Sequence, residues 1–369
     1  MESQSNRWTR FAAIAAAAVI PTSTLAVSSA GASASVNVNV VGYSVVGPAY
    51  KALEAAFQAT SAGQNVTFTN SFGASDTQTT NVANGQPADF VNLSYGPNIT
   101  TLVTAHKVPS NWTSQELAVG GVNPLTKTTY STPGVLTDSV VVFDVRAGNP
   151  LHIHTWADLL KKGVQVVTPN PLTSGSAKWN LLAGYSSQIS LHKTPNASQD
   201  YLKALLENTI SQPVSGSAAM SSFIAGTGNV LLDYEDNSLA AVAAGKPIKV
   251  VTPPQSLLIE NPVALTTTGI ANSGAKAFYK YLFSAAGQGI FASLGYRSVL
   301  KTVWASTKNN FPAFKTAISL NTVEKLDVKA WQSLDPKFFG ATIKFAKTDK
   351  VHPTAGIVSY LEQFAGKTA

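Results

Sequence analysis

Four serines lie in short turns of small residues, each at a predicted helix start: Ser44, Ser75, Ser174 and Ser176. The first N–H groups of a helix have no acceptor inside the helix, and the helix dipole makes that end positive. Several such ends that meet at one point form an anion site without a full positive charge, and serine hydroxyls add further donors. Any one serine could equally be an ordinary helix N-cap, so the prediction depends on all four lying together.

The elements that must position these turns alternate along the chain. Val36, Val38 and Val40 alternate with asparagines, which predicts a first strand. The other predicted elements are strands at 65–70, 89–93, 139–145 and 164–168, and helices after Pro48, after Asp76, at 155–160 and at 177–185. Strands that alternate with helices are typical of α/β architecture with mostly parallel sheets.

The first 34 residues have the pattern of a secretory signal peptide. Arg7 and Arg10 precede the apolar stretch 11–20, and small residues follow as far as Ala34. Cleavage is expected after Ala34, with a cut after Ala32 as the alternative, and a buried N-terminal helix is the other interpretation. Because no cysteine is present to carry a lipid, the mature protein is expected to be soluble, in the periplasm or outside the cell.

Composition narrows the classes of function. Hydrophobic residues make up 44% of the 369 residues, yet no internal run reaches the roughly 18 apolar residues of a membrane span. The absence of cysteine excludes thiol catalysis and thiolate metal sites. Removing 1–34 leaves 24 Lys and Arg against 18 Asp and Glu, a scattered charge of +6 without a basic run. Nucleic acid is therefore not an expected partner.

Other residues that could do chemistry are weaker candidates. His152 and His154 lie two residues apart, but the nearest carboxylate is Asp158, so neither a metal site nor another cofactor is expected. No Gly-x-Ser-x-Gly motif is present and no histidine is close to the serines in sequence, so no catalytic residue is assigned. Tryptophans could stack a carbohydrate, although packing is the preferred interpretation: Trp156, Trp179, Trp304 and Trp331.

Residues 168–180 read TPNPLTSGSAKWN, which resembles the TPNPKTSGGARWN segment of the periplasmic sulfate- and thiosulfate-binding proteins of ABC transporters. Weaker matches follow in the same order over most of 36–300. These are GASDTQ at 73–78, ADFV at 88–91, VFDVRAGNP at 142–150, GNVLLDYE at 228–235, Gly287-Gln288, and Tyr296-Arg297.

The resemblance implies a type II periplasmic-binding-protein fold, in which two α/β lobes enclose a ligand cleft. The expected bounds are 36–135 plus 260–325 for lobe 1, 136–259 for lobe 2, and 326–369 for a C-terminal helical segment packed on the body. The implied function is that of a monomeric, non-enzymatic solute-binding protein that delivers sulfate or thiosulfate to an ABC transporter permease. Two alternatives stay open: capture of phosphate or another tetrahedral oxyanion, and an exported enzyme or cell-envelope protein on the same fold.

The same resemblance carries a set of uncharged anion donors over to this chain. Matched by position, they include Ser75 and the segment Ser174-Gly175-Ser176, while Ser44 replaces a family aspartate that contributes its backbone N–H. Ser217 is assigned to a further backbone donor, with Gly216 as the neighbouring alternative.

Tyr234 is the main departure, because the family has tryptophan at this position. An indole N–H can only donate, whereas a tyrosine hydroxyl can also accept. Sulfate carries no proton at neutral pH, but hydrogen phosphate does and needs an acceptor. Tyr234, Asp76 or Asp233 could supply that acceptor, so the identity of the oxyanion stays open at this point.

Overall fold

The computed structural model describes residues 35–114, 123–127, 134–311, 319–327, 329–340 and 351–366. The predicted signal peptide, 1–34, lies outside these residues. Within them the fold is mixed α/β, so the predicted fold class is confirmed.

The strands of the described residues belong to one connected, mixed sheet. They are β1 Val36–Tyr43, β2 Val66–Gly73, β3 Phe90–Asn92, β4 Val135–Arg146, β5 Val166–Val167, β6 Thr209–Ser211, β7 Val230–Tyr234, β8 Ile248–Val251, β9 Gln255–Leu265, β10 Arg297–Ser298 and β11 Ser319–Asn321. The main path runs β2-β1-β3-β9-β4-β7-β5-β6. We refer to β2-β1-β3 with the end of β9 as the first half-sheet, and to β7-β5-β6 with the end of β4 as the second half-sheet.

The helices cover both half-sheets and follow their strands closely. They are α1 Gly47–Gln58, α2 Ser75–Ala83, α3 Gly96–Thr104, α4 Gly175–Ser190, α5 Pro195–Glu207, α6 Gly216–Ile224, α7 Glu235–Ala243, α8 Ser273–Leu282, α9 Ala285–Ser293, α10 Lys301–Thr307, α11 Val323–Leu326, α12 Trp331–Phe339 and α13 Ile357–Leu361. Short 3-10 helices occupy Trp112–Ser114, Trp156–Leu160, Lys308–Asn310 and Glu362–Phe364.

Two long strands join the half-sheets. β4 pairs with β9 antiparallel along its first half and with β7 antiparallel along its second half. β9 in turn reaches β3, again antiparallel. The prediction of mostly parallel sheets therefore holds within each half-sheet, where β1 is parallel to β2 and β3, and β5 is parallel to β6 and β7. The two strands that connect the halves are antiparallel to each other and to β3 and β7, although β9 is also parallel to β11.

Parallel pairing places the serine turns at one edge of each half-sheet. In the first half-sheet Tyr43 is opposite Gly73, and Gly42 is opposite Asn92. The carboxyl ends of β1, β2 and β3 are therefore level, and the loops that follow them emerge side by side. Ligands of open α/β sheets bind at this edge because helix N-termini begin there.

Large apolar side chains hold each half-sheet to its helices. Phe278 of α8 lies 4.7 Å from Phe68 and 5.1 Å from Phe57, ring centre to ring centre, beneath the first half-sheet. In the second half-sheet the ring of Trp156 stands edge-on to Phe143 at 4.8 Å. Each such buried aromatic contributes roughly 1.5–3 kcal/mol through burial alone. These contacts fix the strands from which the serine turns project.

Two predicted elements differ from the structure. The helix expected at 155–160 is a 3-10 turn, closed by a capping box between Thr155 and Asp158. The helix expected from Ala177 begins at Gly175, so Gly175 and Ser176 lie in its first turn and not in a preceding loop. This second difference strengthens the anion-site prediction, because first-turn N–H groups have no acceptor in the helix.

The described part of the C-terminal segment packs against the body. Trp331 of α12 lies 4.7 Å from the ring of Tyr95 and 4.9 Å from that of Trp179. Farther along, the Gly366 N–H donates to the Leu206 carbonyl at 3.1 Å. The Trp331 contacts therefore support the turn before α3 and the first part of α4.

Candidate oxyanion site

Ser44 and Ser217 bring the two half-sheets into direct contact. Ser44 follows β1, and Ser217 is the second residue of α6. The Ser217 backbone N–H donates to the Ser44 hydroxyl oxygen at 3.3 Å, although the residues are 173 positions apart. Ser217 thus makes this contact through its backbone N–H, and its role as a donor to the ligand stays a prediction. Ser215 acts as the N-cap of the same helix by accepting from the Ala218 N–H.

Ser75 is the first residue of α2 and is buried. Its hydroxyl lies 2.8 Å from the hydroxyl of Ser94 and also accepts the Ser94 backbone N–H at 3.1 Å. Ser94 was not predicted from the sequence. Its position in the sequence could have indicated it, because Ser94 comes shortly after β3 and Ser44 comes directly after β1.

Ser174, Gly175 and Ser176 form the start of α4. Ser174 occupies the N-cap position, but its side chain does not cap the helix. Its hydroxyl instead lies 2.8 Å from the hydroxyl of Ser176, and both residues are buried. The alternative interpretation, in which this serine only caps a helix, therefore fails at Ser174.

Gly175 lies against the first half-sheet. A Cβ atom at this position would be 2.5 Å from the Ser94 hydroxyl and 2.8 Å from the Tyr95 Cβ. A Cβ atom on Gly216 would be 3.3 Å from the Ser176 hydroxyl and 3.8 Å from the Ser44 hydroxyl. These short separations bring together five residues, which we refer to as the serine cluster: Ser44, Ser75, Ser94, Ser174 and Ser176.

Trp179 fixes the distance between the two sides of the serine cluster. It lies one turn into α4 and is fully buried. Its indole N–H donates to the Ser94 carbonyl oxygen, which holds the start of α4 against the loop after β3. The same side chain stands edge-on to Trp331. The predicted packing role of Trp179 is consistent with these contacts.

Tyr234 ends β7 beside the serine cluster. It is fully buried, and its hydroxyl makes no hydrogen bond of good geometry. Burial raises the pKa of this hydroxyl well above its usual range, while the neighbouring side chains of Ser94 and Asn261 partly lower it. A buried hydroxyl without a partner costs roughly 1–3 kcal/mol, so this hydroxyl could form a hydrogen bond with a ligand at no cost to the packing.

Asp76 and Asp233 are the two carboxylates considered as proton acceptors, and both interact with other protein groups. Asp76 pairs with Lys178 at 2.8 Å and accepts from the Asn98 side-chain amide at 2.8 Å. Asp233 accepts the Tyr234 backbone N–H at 2.8 Å and the side-chain amide of Asn237. Asp233 therefore organises the start of α7, and the charge of Lys178 is balanced outside the serine cluster.

The start of α7 is held by a buried ion pair. Arg297 donates through Nε and Nη2 to the two carboxylate oxygens of Glu235, at 2.7 and 2.9 Å. Glu235 directly follows Tyr234, so this pair fixes the strand end that carries the tyrosine. The guanidinium also lies 4.7 Å from the ring centre of Phe311.

Other chemistry considered from the sequence receives little support from the described residues. His152 and His154 are exposed, and no group of three or more His, Asp or Glu side chains there is placed to hold a metal ion. No helix of the described segments combines the length and the apolar character that crossing a bilayer requires.

An α/β sheet in two halves, with polar turns gathered between them, defines a solute-binding protein of the two-lobed type. The family model described as "Bacterial extracellular solute-binding protein" matches residues 38–297. The chain belongs to this family.

Individual relatives agree with this assignment. The sulfate-binding protein of Synechococcus elongatus is 31% identical over 324 residues, which are 85% of this chain and 86% of the relative. The thiosulfate-binding protein of Pseudomonas aeruginosa is 30% identical over 310 residues, covering 81% and 88% of the two chains. The solved structure of the sulfate-binding protein SubI from Mycobacterium tuberculosis H37Rv is 38% identical with a TM-score of 0.73, covering 82% of this chain and 99% of that one. The family resemblance and the fold class predicted from the sequence are thereby confirmed.

Proposed function

We propose that this protein is an extracytoplasmic solute-binding protein that captures sulfate or thiosulfate and delivers it to the permease of an ABC importer. The observation that carries the proposal is the convergence of the serine cluster with the first turns of α2, α4 and α6. Hydroxyl groups and first-turn N–H groups all present hydrogen toward an anion. Relatives named for sulfate and thiosulfate binding add support.

The proposed ligand-binding residues are those predicted from the sequence, with one addition. They are Ser44, Ser75, Ser174, Gly175, Ser176, Ser217 and Tyr234, together with Ser94. Serines 44 and 75 belong to the first half-sheet, and residues 174–176, 217 and 234 belong to the second. The ligand would therefore be enclosed by lobes with the predicted bounds of 36–135 plus 260–325 and 136–259.

A dianion suits donors that carry no full charge. Each hydrogen bond to a charged group contributes roughly 1.5–3 kcal/mol net, and several such bonds must offset the cost of removing a dianion from water. Lys178 is neutralised by Asp76, so its charge does not supply this energy. The donors of the serine cluster and helix starts must supply it instead.

We further propose that the protein is a monomeric carrier without catalytic activity, exported by its N-terminal leader and not lipidated. The hydroxyls of Ser75, Ser174 and Ser176 pair with other serine hydroxyls among the described residues, and not with a histidine or carboxylate that could activate them. This arrangement favours binding over hydrolysis. An exported enzyme or envelope protein on the same fold is the alternative that a failure of binding would favour.

The decisive experiment is calorimetric titration of the mature protein, stripped of ligand by unfolding and refolding, with sulfate, thiosulfate and phosphate at neutral pH. We expect one-to-one binding of sulfate or thiosulfate. Ser75→Ala and Ser174→Ala should each weaken binding about tenfold or more, because each removes one charge-assisted donor. Ser293→Ala is the matched control, since that hydroxyl bonds only to the Ile290 carbonyl of its own helix. Unchanged affinity in both site variants would remove the serine cluster from the proposal.

Phosphate is the second candidate, and the buried hydroxyl of Tyr234 is the observation that favours it. This hydroxyl has no partner of good geometry and can accept the proton of hydrogen phosphate. Binding of phosphate but not sulfate would move the assignment to this candidate.

A further inference from the structure

A carboxylate that sequence reasoning did not select lies close to Tyr234, at the start of α7. Asp236 is the second residue of α7, two positions after Tyr234. It is 1% exposed, and neither of its carboxylate oxygens makes a hydrogen bond of good geometry. Its backbone N–H approaches the Ser139 hydroxyl at 3.5 Å. A buried carboxylate without firm partners is costly in its charged form.

Three tyrosines, Tyr43, Tyr234 and Tyr296, interact electrostatically with Asp236. Tyr43 precedes Ser44 and donates to the Asn261 side chain at 3.3 Å. Tyr296 donates to the backbone carbonyl of Val45, the residue after Ser44, at 3.1 Å. The Tyr43 and Tyr234 rings lie 6.5 Å apart. Asp236 is therefore linked to the turn that carries Ser44 through these tyrosines, which we refer to as the tyrosine layer.

Charge on Asp236 is disfavoured by its surroundings. Burial raises the pKa of this carboxyl to about 7, the neighbouring charge of Glu235 adds to the rise, and the hydroxyls of Ser139 and Tyr296 oppose it. Burial raises the pKa of the hydroxyls of Tyr43, Tyr234 and Tyr296 well above their usual range, and the charge of Asp236 adds to the rise.

The remaining ionisable groups around α7 do not supply a free countercharge. Glu235 lies in the same helix and is paired with Arg297, and Asp233 lies in β7. β4 carries two carboxylates: Asp138 accepts a hydrogen bond from Asn123, and Asp144 accepts one from Ser238. From β8 comes Lys249, which is exposed. The environment of Asp236 is therefore acidic and mostly buried.

We propose that Asp236 takes up one proton when the site captures its dianion, so that ligand affinity depends on pH although sulfate itself does not titrate. This inference rests on the proposed function. A dianion held by the serine cluster repels a carboxylate behind the tyrosine layer, and screening between buried charges is weak. Binding must therefore stabilise the protonated form of Asp236.

The direction of the pH dependence follows from this linkage. The pKa of Asp236 is about 7 in the protein without ligand, and the bound dianion raises it further. Well below pH 7 the carboxyl is already protonated, so affinity does not vary with pH. Above pH 7 a proton must be acquired on binding, so affinity falls by up to about tenfold per pH unit until the pKa of the complex is reached.

The test is sulfate titration by calorimetry at several pH values between 6 and 9, in buffers of different ionisation enthalpy. The buffer dependence of the binding enthalpy gives the number of protons taken up. We expect uptake that approaches one proton near pH 8 in the wild type and none in Asp236→Asn, whose affinity should vary little with pH. Asp144→Asn is the control, since that buried carboxyl contacts Ser238 and should leave the uptake intact.

The outcomes separate the two proposals. Two results would overturn this inference and leave the proposed function intact. One is sulfate binding without proton uptake in the wild type, and the other is proton uptake that persists in Asp236→Asn. No binding of sulfate at any pH would overturn the proposed function itself. If Asp236→Asn does not fold, the wild-type buffer series still decides whether a proton is taken up, and Asp236→Glu should move the pH at which affinity begins to fall.

Discussion

Replacing Gly175 by alanine should weaken ligand binding without weakening the fold of the free protein. The added Cβ would lie 2.5 Å from the Ser94 hydroxyl, 2.8 Å from the Tyr95 Cβ and 3.4 Å from the Ser75 Cβ. Carbon atoms in ordinary contact are about 3.5–4.0 Å apart, so the two sides of the site must separate by roughly 0.7 Å or more. The backbone N–H of residue 175 is kept, and no donor is lost.

The size of the effect follows from the cost of this overpacking. Added methyl groups in well-packed sites cost roughly 1–3 kcal/mol. At about 1.4 kcal/mol for each factor of ten, affinity should fall about 5- to 150-fold. The cost arises only when the half-sheets close on one another, because Gly175 and its three neighbours belong to different halves. The ligand-free protein can open and avoid the clash.

The assay combines sulfate calorimetry with thermal unfolding of the ligand-free protein. Gly289→Ala is a matched control, because this helical glycine has no atom within 4 Å of its added Cβ. It should leave affinity unchanged. Wild-type affinity in Gly175→Ala would refute the account of closure around this residue, and so would an equal loss of stability without ligand.

Three further outcomes follow from buried polar groups. Tyr234→Phe should weaken sulfate binding about tenfold if the Tyr234 hydroxyl donates to the ligand. The unfolding free energy should not fall, since that hydroxyl has no firm protein partner. Unchanged affinity in calorimetry would take the residue out of the proposed site. Arg297→Ala should lower the unfolding free energy in urea by roughly 3–5 kcal/mol, because Glu235 is left buried without its partner, and a second change, Glu235→Gln, should recover part of the loss. Burial raises the pKa of the Asp144 carboxyl to about 7, which is above its value in the unfolded chain. The contribution of this carboxyl to stability is therefore present at pH 4 and is lost as pH rises through 7. Asp144→Asn should flatten the fall in unfolding free energy between pH 5 and 8, and an unchanged slope would contradict this.

Local patterns in the sequence were sufficient to predict most of the elements that carry the proposed site. The alternating valines of β1 and the small-residue turns before α2 and α4 predicted where strands end and helices begin, because both signals act over a few residues. Parallel pairing then brings those turns together without further information. The start of α4 was misplaced by two residues, since glycine and serine in a first turn resemble a loop.

Other parts of the site depended on contacts that the sequence does not display. Ser94 lies in Leu-Ser-Tyr-Gly-Pro, a turn that resembles the one around Ser44, but its contact with Ser75 depends on the pairing of the strands and is not visible in the sequence. Asp236 is an acid in the first turn of a helix, where a carboxylate is usually exposed and favoured by the dipole. Only the packing of the three tyrosines shows that it is buried. The partner of Lys178 was likewise undetermined, because Asp76 is 102 positions away.

In the proposed site, neither half-sheet alone presents the full set of donors. Ser44, Ser75 and Ser94 belong to one half and the start of α4 to the other, so a complete set of donors exists only when the halves meet. A fixed cation would attract anions to the open form, but the pairing of Lys178 with Asp76 removes that attraction. We therefore propose that selectivity is decided at closure, where each donor must find an acceptor and where Tyr234 and Asp236 can respond to a proton on the oxyanion. The departure from the family pattern at Tyr234 would then change which oxyanion fits, while the proposed donors of the serine cluster would favour any tetrahedral oxyanion.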